Sequence, residues 1–268
     1  MRHYIDIDAE LVGLPGVIET GQLHERLAYG VSGERGLRQR RGAAEINREI
    51  LRMVADGVLH RVKRGLYVRG SFLPGGAAGL GTASLGELRM LLAAALYGPS
   101  YVSGETALRL HGLVRLAAVS GEHCITSVTA GKNRSKSFAT AFGRFAYHDI
   151  PQDAFDWGVQ THRTDRLRGD EFGAGVAPGE YRLAGPEKAL CDAVYLRARH
   201  AGREREPHKG RQGGPQRGLR NLVDILYEDI GLDKSAASRL DIDMIWKMQH
   251  RYPSSAVGAL AGYLYRYS

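Results

Sequence analysis

The chain has 268 residues, 43% of them hydrophobic, and 37 Lys and Arg against 29 Asp and Glu give it a formal charge of +8. That length lies nearer two ordinary domains than one, and the basic balance favours polyanionic partners, either nucleic acid or an anionic membrane surface. No run approaches the roughly eighteen apolar residues of a spanning helix, and MRHYIDIDAE carries acids where a secretory leader would be basic, so the sequence argues against a membrane span and for a cytoplasmic protein. Cys124 and Cys191 stand far apart without CxxC spacing, which reads as two free thiols rather than a metal or redox site.

In chain order, Thr20 ahead of GQLHERLAYG predicts a short helix with Thr20 as its N-cap, Leu23 and Leu27 on one side and Gly30 as its stop. A basic connection, GERGLRQRRG, follows. The run AAEINREILRMVADG then places Ile46, Ile50, Met53 and Val54 on one helical face and Glu45, Arg48 and Arg52, with Asn47 beside them, on the opposite one, with Gly57 ending the helix. In VLHRVKRGLYVRG, the apolar flanks of KRG predict a two-stranded ribbon turning at Gly65.

Charge concentrates here. Residues 35–69 hold ten basic and three acidic side chains, an excess of +7, whereas the preceding thirty-four hold two basic and six acidic. Helix, connection, helix and basic hairpin is the order of a winged helix-turn-helix, whose second helix enters the major groove while the ribbon reaches the backbone. On that reading residues 1–75 form a DNA-binding domain. Its DNA-facing side chains are Arg38, Arg40 and Arg41 of the connection, Asn47, Arg48 and Arg52 of the helix, and Arg61, Lys63, Arg64 and Tyr67 of the ribbon. The bland alternative is a small α+β domain in which Glu45 with Arg48, and Glu49 with Arg52, make surface pairs.

The Gly-rich stretch FLPGGAAGLGTASLG marks a boundary, and residues 83–268 are expected to form a larger mixed α/β domain with a helical end. Its elements are a buried helix over 84–97 capped by Ser84 with Glu87, a short helix after Ser103 that ends before Gly112, and β-prone runs at Cys124–Val128 and Arg144–His148, paired as a hairpin or as neighbours. A strand, a turn at Gly185-Pro186 and a helix presenting Ala189, Ala193 and Leu196 come next, with Asp192 a candidate buried partner of Lys188. Basic residues over 199–220 sit among Gly, Pro and Gln and read as a mobile loop; Lys132, Arg134, Lys136 and Arg144 could extend a DNA footprint. No cofactor is expected. An enzyme would need a convergent site, and His111, His148, Asp149, Glu187 and Lys188 lack the spacing of any hydrolase or metal motif, so a metal-dependent nuclease is the alternative function.

The ending KRGLYV, together with YVSGETALRLHGL and GPEKALCDAVYL, resembles the AbiEi-like antitoxins of type IV toxin-antitoxin systems, over roughly residues 15–197. That resemblance implies an N-terminal winged helix that represses its own operon through inverted repeats, and a C-terminal α/β domain that counters a nucleotidyltransferase-type toxin without requiring a stable complex. The long GVSGERGLRQRRG connection departs from the family pattern.

Overall fold

In a computed structural model the chain is a mixed α/β protein, described for residues 11, 14–32, 37–73, 82–114, 124–130, 135–164, 179–204 and 222–267. By spatial proximity it divides into two compact units, one of Met1–Leu96 with 140–142 and 163–180, the other of 97–139, 143–162 and 181–268. Residues 82–96 thus group with the first unit, where the sequence reading begins the second domain at 83; the boundary stretch 74–81 and the basic segment 205–221 lie outside the described residues. No helix among the described residues is long and apolar enough to cross a membrane.

The first unit runs β1 (Val17–Glu19), α1 (Thr20–Leu27), β2 (Tyr29–Ser32), β3 (Leu37–Arg40), α2 (Ala43–Ala55), β4 (Leu59–Lys63), β5 (Leu66–Arg69), a 3-10 turn at Gly70–Phe72 and α3 (Thr82–Leu96). Two short helices cannot persist alone in water. They are held by one apolar cluster, in which Ile18, Leu23 and Leu27 meet Ile46, Ile50 and Met53 of α2 and Val58 and Leu59 beyond it. Each such side chain contributes about 1.5–3 kcal/mol by leaving water. Val54, expected on the same face, lies at its margin and is half-buried.

Three local expectations change. Glu19, not Thr20, is the N-cap of α1: its carboxylate accepts from the Gln22 backbone N–H while its own N–H donates to Gln22 Oε1 at 2.8 Å, a reciprocal box that a threonine one residue later does not make. Gly30 does not stop α1, which ends at Leu27; it pairs with Gln39 in a ladder joining β2 to β3, so part of the basic connection is an antiparallel ribbon rather than a loop. The helix α3 begins at Thr82, which places Ser84 inside its first turn instead of at the cap.

β1, β5 and β4 form an antiparallel sheet in that order. Lys63 pairs with Leu66, leaving Arg64 and Gly65 as a two-residue turn, with Gly65 at a φ of +83° that suits glycine. Glu19 pairs with Leu66 and the Thr20 N–H donates to the Gly65 carbonyl at 2.9 Å, so the tip is tied to the start of α1 and projects only by its two turn residues. At the far end, Gly70 donates to the Val58 carbonyl at 2.7 Å, and a Cβ there would stand 2.2 Å from the Gly57 carbonyl oxygen; only glycine allows the sheet to close on the end of α2.

The second unit is built on a sheet of order β10-β11-β6-β7-β9-β8, from β6 (Ser100–Val102), β7 (Cys124–Ala130), β8 (Lys136–Thr140), β9 (Gly143–Ile150), β10 (Val159–Thr164) and β11 (Gly179–Ala184). The strands β7 and β9 are neighbours, but parallel, with Cys124 opposite Arg144; the hairpin alternative is excluded because β8 takes the edge and β9 inserts between. Its helices are α4 (Gly104–Leu110), α5 (Gln152–Phe155), α6 (Pro186–Glu204), α7 (Lys234–Ala237), α8 (Ile242–Gln249) and α9 (Ser255–Tyr267), with a π-helical turn at Ile225–Asp229. Ala189, Ala193 and Leu196 of α6 are buried as their spacing predicts.

Candidate nucleic-acid interface

With Ile46, Ile50 and Met53 committed to the core, α2 turns the remainder of its 3.6-residue period to solvent: Ala44, Asn47, Arg48, Leu51, Arg52 and Ala55 are all exposed. Glu45 in the first turn and Arg52 in the last each complement the helix dipole. Arg48 has the least to hold it: its Nε reaches only the Ala44 carbonyl, at 3.4 Å, and it forms no ion pair among the described residues. Arg52 is paired with Glu49 at 2.9 Å, the surface pair that spacing suggests, of a kind worth less than about 1 kcal/mol and readily exchanged for a phosphate. Arg41, Glu45, Arg48, Glu49 and Arg52 line a groove of about 390 Å³ along one side of the helix, three guanidinium groups against two carboxylates. Asn47 is not idle. Its Oδ1 lies 2.9 Å from His24 Nε2, a hydrogen bond that fixes α2 against α1.

The ribbon residues divide. Arg61 and Arg64 are exposed and make no hydrogen bond or ion pair among the described residues, which leaves both guanidinium groups available to an anion. Lys63 instead donates from Nζ to the Leu96 carbonyl at 2.6 Å, a cation on the last turn of α3. Nothing local predicts that contact, because the acceptor is thirty-three residues away. Tyr67 sits opposite Ile18 and Arg61 in the sheet and packs, half-buried, against the core. Arg69, counted in the local excess of charge, is buried with its guanidinium over the Phe72 ring, 5.2 Å from the centroid, and so adds almost nothing to the surface. Arg38 and Arg40 fall in β3 opposite Val31 and Tyr29, their side chains outside the described residues. Sequence reasoning passed over Leu51, which lies 67% exposed in the middle of the arginine-bearing face.

The second unit gathers its ionisable groups inside. Lys188 and Asp192 are fully buried one turn apart on α6, with Nζ 3.0 Å from Oδ1, the pair expected from their spacing. Nζ also donates to the Ala154 carbonyl at 2.6 Å and to the Tyr252 hydroxyl at 2.5 Å, while Tyr252 donates to Asp192 Oδ1 at 2.7 Å. Tyr101 and Ser103 donate to Oδ2 at 3.0 and 2.7 Å; Ser103, positioned as the N-cap of α4, gives its hydroxyl to Asp192 instead of the helix. Burial, then the Asp192 charge, pushes both phenols well above their ordinary values. The donors and acceptors of this network engage one another inside the unit, as buried polar groups must.

The remaining acid–base candidates do not converge. Glu187 is buried and accepts from the Asp241 N–H at 2.9 Å, His111 Nε2 meets the Ala184 carbonyl at 2.8 Å, and burial holds His148 below the ordinary histidine value. Burial pushes the Cys191 and Cys124 thiols up, away from the reactive thiolate. Among the described residues no three His, Cys, Asp or Glu stand close enough to hold a metal ion.

No protein-family model matches the chain, and a comparison with curated proteins finds no match. The likeness to AbiEi-like antitoxins therefore stands on the quoted motifs alone.

Proposed function

We propose that the chain is a DNA-binding transcriptional repressor whose first unit grips duplex DNA through the exposed face of α2, with the β4–β5 ribbon as a short wing. The observation that carries this reading is Arg48, held by no carboxylate among the described residues and flanked by Asn47 and Arg52 on a helix face left over from core packing. A bidentate arginine on guanine is the commonest specific contact in a major groove, and Arg61 and Arg64 suit phosphates. Antitoxin action against a nucleotidyltransferase-type toxin, with autoregulation through inverted repeats, is the role the resemblance adds; such a protein works on the cytoplasmic nucleoid.

The test is fluorescence anisotropy of the full chain on duplexes selected from a random pool, across a salt series. Affinity should fall linearly in log–log form as salt rises, with a slope set by the phosphates contacted. Absence of duplex binding by the folded protein refutes the proposal, and magnesium- or manganese-dependent cleavage of plasmid DNA replaces it with the nuclease reading. Toxicity of a neighbouring nucleotidyltransferase frame, relieved by co-expression of this chain, tests the antitoxin part.

A further inference from the structure

We infer that Leu51 reads the C5-methyl group of a thymine, and so fixes one base of the recognised sequence; this rests on the DNA reading of α2 above. Leucine at 67% exposure is unremarkable singly, but its position is informative. Ala44, Arg48, Leu51 and Ala55 recur at i, i+4, i+7 and i+11, the line directly opposite the buried Ile46 and Met53. Leu51 thus stands where a helix laid in a major groove comes nearest the base edges. The two alanines keep that line low, so a base pair can approach the leucine without obstruction.

It is also the one exposed large apolar side chain among the described residues of the first unit. Guanidinium groups at 48 and 52 flank it. That setting favours a polyanion with an apolar spot on its surface over a second copy of the same positive face. Of the four bases, thymine alone offers a methyl group in the major groove, and apolar side chains are its usual readers. The carboxylates of Glu45 and Glu49 line the groove to the side of α2 away from Asn47, which leaves Asn47 and Leu51 as the part of the face free of acids, with Arg48 on the border between that part and the groove.

The experiment uses the full chain and the duplexes selected above. Each thymine of the selected sequence is replaced singly by deoxyuridine, which removes the methyl group and preserves every hydrogen-bonding atom. At one thymine per bound helix, affinity should fall about three- to fivefold, the effect of burying a single methyl group. Leu51→Ala should bind the thymine and uracil duplexes equally, with an unchanged salt slope and melting temperature, while Leu51→Met should keep part of the preference. Binding that is insensitive to every thymine-to-uracil change, or a sensitivity that survives in Leu51→Ala, overturns the inference and leaves the DNA reading intact. Failure of the wild-type chain to bind any duplex overturns both. Concentration-dependent self-association lost in Leu51→Ala, with no uracil effect, assigns the leucine to a second copy instead.

Discussion

The exposed face of α2 and the buried cluster around Asp192 hold similar chemistry in opposite circumstances. On α2, Arg48 and Arg52 stand in water with a weak backbone contact and one surface pair between them. At Asp192, one carboxylate takes four close donors in the interior, from Lys188, Tyr252, Tyr101 and Ser103. Charges in water cost the fold little and remain available to a partner, whereas charges inside must be satisfied by the fold itself and are no longer available. Ionisable residues in the two regions should therefore fail in different assays when replaced.

The largest effect is expected inside. Asp192→Ala strands the Lys188 ammonium and three hydroxyls, and breaking one side of a buried pair costs about 3–5 kcal/mol, a large share of the roughly 5–15 kcal/mol that holds a domain folded. Thermal and urea unfolding should show it. The double change Lys188→Met with Asp192→Leu should be markedly less destabilising than Asp192→Ala, because no charge is left unpaired. Equal losses in the two would mean that the cavity, not the charge, sets the cost.

Much of this contrast was legible in the sequence. Three-and-four spacing of Ile46, Ile50 and Met53 located α2 and its outward arginines, and the four-residue step from Lys188 to Asp192 suggested their pairing. What stayed hidden depends on partners distant in sequence. Tyr101, Ser103 and Tyr252 reach Asp192 across 91, 89 and 60 positions, and Lys63 finds Leu96 across thirty-three. Arg69 belongs to the basic run 35–69, and nothing in a basic strand end shows that its guanidinium packs over Phe72. The β2–β3 ribbon was missed for a different reason: LRQR carries the charge of a loop, and backbone pairing needs no apolar side chains.

A smaller effect separates Arg48 from the ribbon. Arg48→Ala should weaken binding to the selected duplex by about 1–3 kcal/mol and relax discrimination at one base position, with no change in melting temperature. Arg64→Ala should weaken binding to selected and scrambled duplexes alike and lower the salt slope by about one unit. Lys63→Ala, although adjacent, should behave like an interior change: its ammonium is already bound to the Leu96 carbonyl, so about 1 kcal/mol of stability should go while the salt slope holds. A slope that drops by a unit in Lys63→Ala would move that lysine to the DNA-facing set.

The smallest effect is a pH dependence belonging to the second unit. His148 of β9 is held below its ordinary value of 6.5, first by burial and then by the positive neighbours His200 and Arg197; the His200 ring stands edge-on at 6.4 Å between centroids. Folding therefore favours the neutral imidazole. Between the folded and unfolded values the unfolded chain binds more protons, so stability rises with pH across that interval. The contribution is fully present above the unfolded value near 6.5 and is lost as pH falls through the folded one. Melting temperature should be lower at pH 5.5 than at pH 7.5 by no more than a few degrees, and the difference should shrink in His148→Leu, whose side chain has no proton to take up. The Nδ1 atom of His148 has no hydrogen-bond partner among the described residues, so this replacement breaks none of the bonds described there, and a large loss of stability at pH 7.5 would show that packing at this position outweighs its titration.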